Sequence, residues 1–124
     1  MRILVVDDDS MAAEMTSAIL EELGHETVQA ENGVDAMERV SGDPSLEMII
    51  SDLNMPLVSG IDLFRELRDQ GNNLPFILLT GDDPEKPGAE EPALDGCLLK
   101  DFSLEESLPE MITTVVERRI ASKS

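Results

Sequence analysis

Five short apolar runs, separated by segments whose apolar residues recur at helical spacing, constrain this chain more than any other feature. The runs are Ile3-Leu4-Val5-Val6, Thr27-Val28-Gln29-Ala30, Met48-Ile49-Ile50, Phe76-Ile77-Leu78-Leu79 and Cys97-Leu98-Leu99. Most are apolar at consecutive positions, as strands of a sheet covered on both faces must be. Repeated strand–helix units imply parallel strands joined by right-handed crossovers. The sequence therefore predicts an α/β fold with one open five-stranded parallel sheet and helices on both faces. With 124 residues and no internal repeat, linker or low-complexity tract, it reads as one domain over 1–124.

The segments between the runs carry helix signals. Ala12, Met15, Ile19 and Leu23 predict the buried stripe of a first helix, stopped by Gly24. Asn32 caps a second, carrying Met37 and Val40. Ser59 caps a third, carrying Leu63, Phe64 and Leu67 and ended by Gly71. Ser103 and Glu106 have capping-box spacing ahead of Leu108, Ile112, Val115 and Val116. Pro109 falls in the second turn of that last helix, so either the helix kinks there or its regular part begins nearer Ser107. Between Asp82 and Pro92 the chain holds Pro84, Pro87, Gly88 and Pro92. No ordinary helix runs through such a stretch, so the fourth helix is predicted to be shortened or disrupted, a loop or a single turn with a short helix after Pro92.

Composition removes several functions. The formal net charge of −18 repels duplex DNA and anionic membranes, and aromatic residues at 2% leave almost nothing for bases to stack on. No basic face or helix-turn-helix follows the sheet. No apolar run approaches the ~18 residues of a membrane span, and the first residues enter a strand at once, without a signal-peptide layout. The single cysteine, Cys97, allows no internal disulfide and suits a reducing cytosol. A buried strand cysteine with a packing role is expected. His25, next to Gly24, reads as a solvated turn histidine.

In an open parallel sheet, ligands bind beyond the carboxyl ends of the strands. The residues that end the runs are therefore the informative ones: Asp7-Asp8-Asp9, Ser51-Asp52, Thr80 and Lys100. Each alone has a bland reading; Asp9 or Ser10, for example, caps the following helix. Together they place carboxylates, one hydroxyl and one ammonium around a single crevice. Carboxylates so crowded repel, and a hard divalent cation relieves them; oxygen-only donors favour Mg²⁺. The set suits phosphoryl transfer, whose transition state spreads negative charge over three oxygens. Asp52 would be the nucleophile, with Lys100 and Thr80 meeting phosphoryl oxygens.

At this point the chain strongly resembles the receiver domains of two-component response regulators, the CheY-like family. The matching stretches are Ile3-Leu-Val-Val-Asp7-Asp8-Asp9-Ser10, Ser51-Asp52-Leu53-Asn54-Met55-Pro56 with Gly60, Leu79-Thr80-Gly81 and Leu98-Leu99-Lys100, in order and at the right spacing over nearly the whole chain. The resemblance implies strand order 2-1-3-4-5 in a flavodoxin-like sheet. It implies Asp52 as phosphoacceptor, Asp8 as a direct Mg²⁺ ligand and Asp7 acting mainly through water. Asp52 and the backbone carbonyl of Asn54 would complete the protein ligands. Thr80 would be the switch hydroxyl and Lys100 the phosphoryl-pairing lysine, with Asn54 and Asp82 at positions that tune hydrolysis. A cytoplasmic signalling module follows, not an enzyme beyond its own phosphorylation and dephosphorylation. Its phosphohistidine donor would be a sensor histidine kinase or phosphotransfer domain, and its output a contact with a downstream protein target.

Three departures stand out. Asp101 replaces the proline that usually follows the lysine, so a trans bond is expected there, with extra negative charge beside Lys100. Cys97 stands at the switch aromatic, and the proline-rich stretch replaces most of the fourth helix. They motivate an alternative, a receiver-like binding module acting without phosphorylation. A third reading, a Mg²⁺-dependent phosphohydrolase, rests on Asp7 and Asp9 as an Asp-x-Asp pair.

Overall fold

A computed structural model describes residues 1–123. The chain alternates β1 (Arg2–Val6), α1 (Ser10–Glu22), β2 (Glu26–Ala30), α2 (Gly33–Gly42), β3 (Met48–Asp52), α3 (Gly60–Asp69), β4 (Phe76–Thr80), α4 (Glu85–Glu90), β5 (Gly96–Leu99) and α5 (Leu104–Lys123). All four strand pairings are parallel, and the sheet order is β2-β1-β3-β4-β5. Sheet, order and covering helices are those expected from the sequence.

The double-sided burial of the strands has a direct cause. Side chains alternate across a strand, so an unbroken apolar run feeds two cores at once. Ile3, Val5, Ile50 and Ile77 pack on one face with Leu20 of α1 and Leu108 and Ile112 of α5. Leu4, Val6, Ile49 and Leu78 pack on the other with Ala36 of α2 and Leu63, Phe64 and Leu67 of α3. With so few aromatic rings, the one aromatic pair is Phe64 edge-on to Phe76 at 5.3 Å, with the Arg68 guanidinium over Phe64 at 4.5 Å.

Helix ends follow their caps. Asn32 Oδ1 accepts from Asp35 N–H at 2.8 Å, and Ser59 with Asp62 forms a capping box at α3. Gly24 (φ 91°) and Gly71 (φ 84°) end α1 and α3 in Schellman motifs, with His25 N–H donating to Leu20 O and Asn72 N–H to Leu67 O.

Several expectations need correction. The buried stripe of α1 is Ala13, Thr16, Ser17 and Leu20, while Met15 is 65% and Leu23 46% exposed. Small residues let the helix lie close to the sheet; of the expected stripe, Ile19 packs partly buried against the core, while Met15 and Leu23 stand to the side. The short fourth helix lies before Pro92, not after it; it contains Pro87 and begins at Pro84 without a side-chain cap. The Ser103–Glu106 capping box does not form, because Ser103 Oγ donates to Asp101 Oδ1 and Glu106 N–H donates to the Ser103 carbonyl. α5 runs from Leu104 through Pro109, which lies in its second turn and cannot supply the amide donor that would otherwise meet the Glu105 carbonyl. His25 is half-buried and accepts from the Met1 ammonium at 3.0 Å instead of standing in water. Burial, then that ammonium, lowers its pKa.

Candidate functional site

Parallel register brings the ends of β1, β3, β4 and β5 to one edge. Asp7 follows β1 and is 4% exposed; Asp52 ends β3 and is 8% exposed; Thr80 ends β4 and is wholly buried. Asp8 stands next to Asp7 and is exposed. Carboxylate oxygens of Asp7, Asp8 and Asp52 lie within 4.8 Å of one another. Lys100 N–H donates to Thr80 O at 2.7 Å, which fixes the end of β5 against β4. Its ammonium reaches Asp7 Oδ2 at 2.5 Å and Asp52 Oδ1 at 3.5 Å.

This geometry sets the ionisation. Burial pushes the Asp52 carboxyl up; Lys100 pulls it down, and Asp7 and Asp8 push it up again, leaving it above the ordinary aspartate value. Burial alone would lower the Lys100 ammonium, but its ion pairs with Asp7 and Asp52 raise it above the ordinary lysine value. Lys100 is therefore charged throughout the physiological range and acts as the cluster's internal counter-ion.

The surroundings hold these groups in place. Leu53 N–H donates to Leu79 O, Gly60 N–H donates to Leu53 O, and Ser51 Oγ donates to Asp52 O. A Cβ on Gly60 would stand 2.4 Å from the Asp52 carbonyl oxygen and 2.6 Å from Leu78 Cδ1. Only glycine allows α3 to start that close to the end of β3. Among the described residues, no buried side-chain nitrogen or oxygen lacks a hydrogen-bond partner.

The residues singled out in the sequence distribute as follows. Asp7, Asp8, Asp52 and Lys100 converge. Thr80 Oγ1 accepts from Asp82 N–H at 3.1 Å, and a hydroxyl that accepts one bond still has its own proton to donate. Asn54 lies exposed in the loop after β3. Asp9 does not join the cluster: its Oδ1 caps α1 by accepting from Met11 and Ala12 N–H, so there is no Asp-x-Asp pair. Asp101 follows a trans bond, as expected, but its Oδ1 turns to Ser103 N–H and Oγ, away from Lys100. The loss of proline has not diverted the lysine from the site. Cys97 packs on the α2–α3 side of the sheet, half-buried, with its thiol pushed up to about 11 by burial.

Two features escaped the sequence. One is the Lys100–Asp7 ion pair, which strand ends alone could not distinguish from a lysine aimed at Asp52. The other is Leu57, whose φ of 71° lies in the left-handed region and carries no sequence signal, since leucine rarely adopts it.

Comparison with known proteins bears on this arrangement. The family model "Response regulator receiver domain" matches residues 3–113. The response regulator MprA of Mycobacterium avium is 35% identical over 113 residues, covering 90% of this chain and 49% of that protein. The chain spans about half the length of the curated relatives it matches. The response regulator TrrA from Thermotoga maritima, solved in complex with Mg²⁺–BeF, superposes with a TM-score of 0.82 at 31% identity, covering 92% of this chain and 97% of that one. The chemotaxis response regulator CheY4 of Vibrio cholerae gives 0.82 at 29% identity, with the same coverages. Fold, converged acidic edge and sequence thus agree, and the chain belongs to the response regulator receiver domain family, the signalling modules of two-component phosphorelays.

Proposed function

We propose that this domain takes a phosphoryl group from a phosphohistidine donor onto Asp52 in a Mg²⁺-dependent step. The observation that carries the reading is the packing of Asp7, Asp8 and Asp52 within 4.8 Å, with Lys100 as their only paired cation among the described residues. Three hard oxygen donors that repel one another fit Mg²⁺ and no softer ion. Asp7, Asp8, Asp52 and the Asn54 carbonyl would hold it. Its charge would offset what develops on the phosphoryl oxygens.

The chain's own groups do the rest. Asp52 supplies a carboxylate oxygen as nucleophile; burial favours its neutral form, and the Lys100 ammonium opposes that. Lys100 exchanges Asp7 for a phosphoryl oxygen within the same reach. Thr80 donates its hydroxyl proton to another phosphoryl oxygen while still accepting from Asp82 N–H. The donor would be a sensor histidine kinase or phosphotransfer domain, and the readout a protein contact in the cytoplasm. Asn54 and Asp82, at the positions that tune hydrolysis in the receiver family, would set the acyl-phosphate lifetime.

The non-aromatic Cys97 favours a second reading, a receiver-shaped module that signals without phosphate. One titration separates the two. Beryllofluoride, a phosphoryl mimic, is added with Mg²⁺ and followed by backbone amide NMR. Saturable shifts at Asp52, Thr80 and Lys100 that need Mg²⁺ and vanish in Asp52→Asn are expected. A folded spectrum that does not respond would overturn phosphoacceptance and leave the second reading standing.

A further inference from the structure

The structure points to a docking groove between α2 and α3 that the phosphoryl chemistry does not use, and we propose that it receives an amphipathic protein helix with basic flanks. Two adjoining hollows, of about 360 and 440 Å³, share Gly33, Val34 and Val58. Val34, Met37, Val58 and Leu63 make an apolar floor. Glu31, Glu38 and Glu66 rim it, all exposed and none in an ion pair among the described residues. Asp35 and Asp62 add two more carboxylates, the first paired with Arg39 at 3.5 Å. Among the described residues, no lysine or arginine lines either hollow.

Leu57 gives the groove its sharper signal. The Val58 N–H donates to Pro56 O at 2.8 Å across Leu57, whose φ is 71°. That is a γ-turn of the positive-φ kind, rare and strained, and suited to glycine. Val58 packs down on the start of α2, where a Cβ at Gly33 would lie 3.0 Å from Val58 Cβ. The turn therefore lifts Leu57 out at the rim, 95% exposed, and Val34 of the floor is itself 55% exposed. The turn is held within the chain by its own hydrogen bond and by Val58 packed at Gly33, and its result is a large apolar side chain presented whole to solvent at the rim, where a partner would meet it.

Charge selects the occupant. Carboxylates without counter-ions around an apolar floor complement Lys or Arg flanking apolar side chains spaced i, i+3, i+4, i+7, the helix-in-groove mode of recognition. A second copy of this chain is a poor match, because its net charge of −18 would meet the same acidic rim. Nothing in the proposal requires Asp52 to be phosphorylated, so it stands or falls apart from the function proposed above.

The test uses the full chain without Mg²⁺ and a synthetic helical peptide of about 18 residues, built only from Leu and Lys in that pattern. A peptide of the same composition, scrambled to break the period, is the control. Amide shifts that saturate and centre on Val34, Met37, Leu57 and Val58 are expected, with binding about tenfold weaker for the scrambled peptide and for Leu57→Gly. A Glu31→Gln, Glu38→Gln, Glu66→Gln variant should lose most of the salt dependence. Leu57→Gly should melt no lower than the parent, since it relieves the turn; a lower melting temperature would make the side chain structural and overturn the idea. Equal binding of the scrambled peptide, shifts centred instead on the separate hollow that exposed Met15 of α1 and Phe102 before α5 line together, or self-association that Leu57→Gly abolishes would each overturn it as well.

Discussion

Asp52→Asn is expected to stabilise the metal-free domain at neutral pH, although it removes the proposed nucleophile. The wild-type carboxylate sits within 4.8 Å of those of Asp7 and Asp8. At an effective dielectric of about 20, each such pair repels by about 3.5 kcal/mol, and the exposed Asp8 is screened to about 1 kcal/mol. Lys100, 3.5 Å away, returns about 4.7 kcal/mol on the same scale. The charges therefore nearly cancel and burial decides, which agrees with the upward shift of the Asp52 carboxyl. A neutral, nearly isosteric amide escapes that penalty, with a gain on the order of 1 kcal/mol, or roughly 2–5 °C in Tm. The sign with pH follows from the proton count. The native carboxyl binds its proton more tightly than the unfolded one, whose value is near 3.8. Wild-type stability therefore falls as pH rises from there through the folded pKa, and the variant's advantage is absent below the unfolded value and full above the folded one. Urea unfolding in EDTA across that range measures it. Saturating Mg²⁺ should reverse the order, since it binds the wild-type site by preference. A variant less stable than wild type at pH 7 in EDTA, or a gain independent of pH, would refute the electrostatic account.

Three further outcomes follow from the packing. Gly60→Ala should cost about 2 kcal/mol or more in urea unfolding, since its Cβ meets the Asp52 backbone at 2.4 Å, and should blunt any Mg²⁺ response. Asp95→Ala should cost about 2–3 kcal/mol by the same assay. Its carboxylate accepts from Arg68, Arg119 and the Phe76 N–H, and its loss strands two partly buried guanidinium groups. Cys97, with its thiol pushed up to about 11, should resist iodoacetamide at pH 8 in the native domain. It should react promptly in urea; rapid native labelling would show that β5 is not held as described.

The sheet was legible because its strands are buried twice, so Ile3 through Val6 or Phe76 through Leu79 read as unbroken apolar runs. The site was legible because parallel register turns four separate strand ends into one edge. What hydrophobicity could not convey was close approach. α1 lies on the sheet through Ala13, Thr16 and Ser17, and a search for large apolar side chains picks Met15 instead. Nor could composition say which of two competing bonds a polar side chain takes. Ser103 had the spacing of a capping box, yet the nearer Asp101 carboxylate captured its hydroxyl. Asp9 and Asp7 are alike in sequence, and only the backbone makes one a cap and the other a partner of Lys100.

The short α4 carries a thermodynamic consequence of its own. Three of the eleven residues from Asp82 to Pro92 are prolines and have no amide proton to bond. The bonds from Lys86 and Gly88 N–H are long, at 3.3 Å, and the helix start has no side-chain cap. Opening this segment therefore sacrifices little enthalpy. What keeps it closed is the stiffness of its unfolded form, because prolines leave few conformations to regain, together with Pro87 buried beneath it. Native-state hydrogen exchange should see this stretch open far below the global unfolding free energy. Heat or denaturant should therefore loosen this cover beside the β5 edge before the sheet itself.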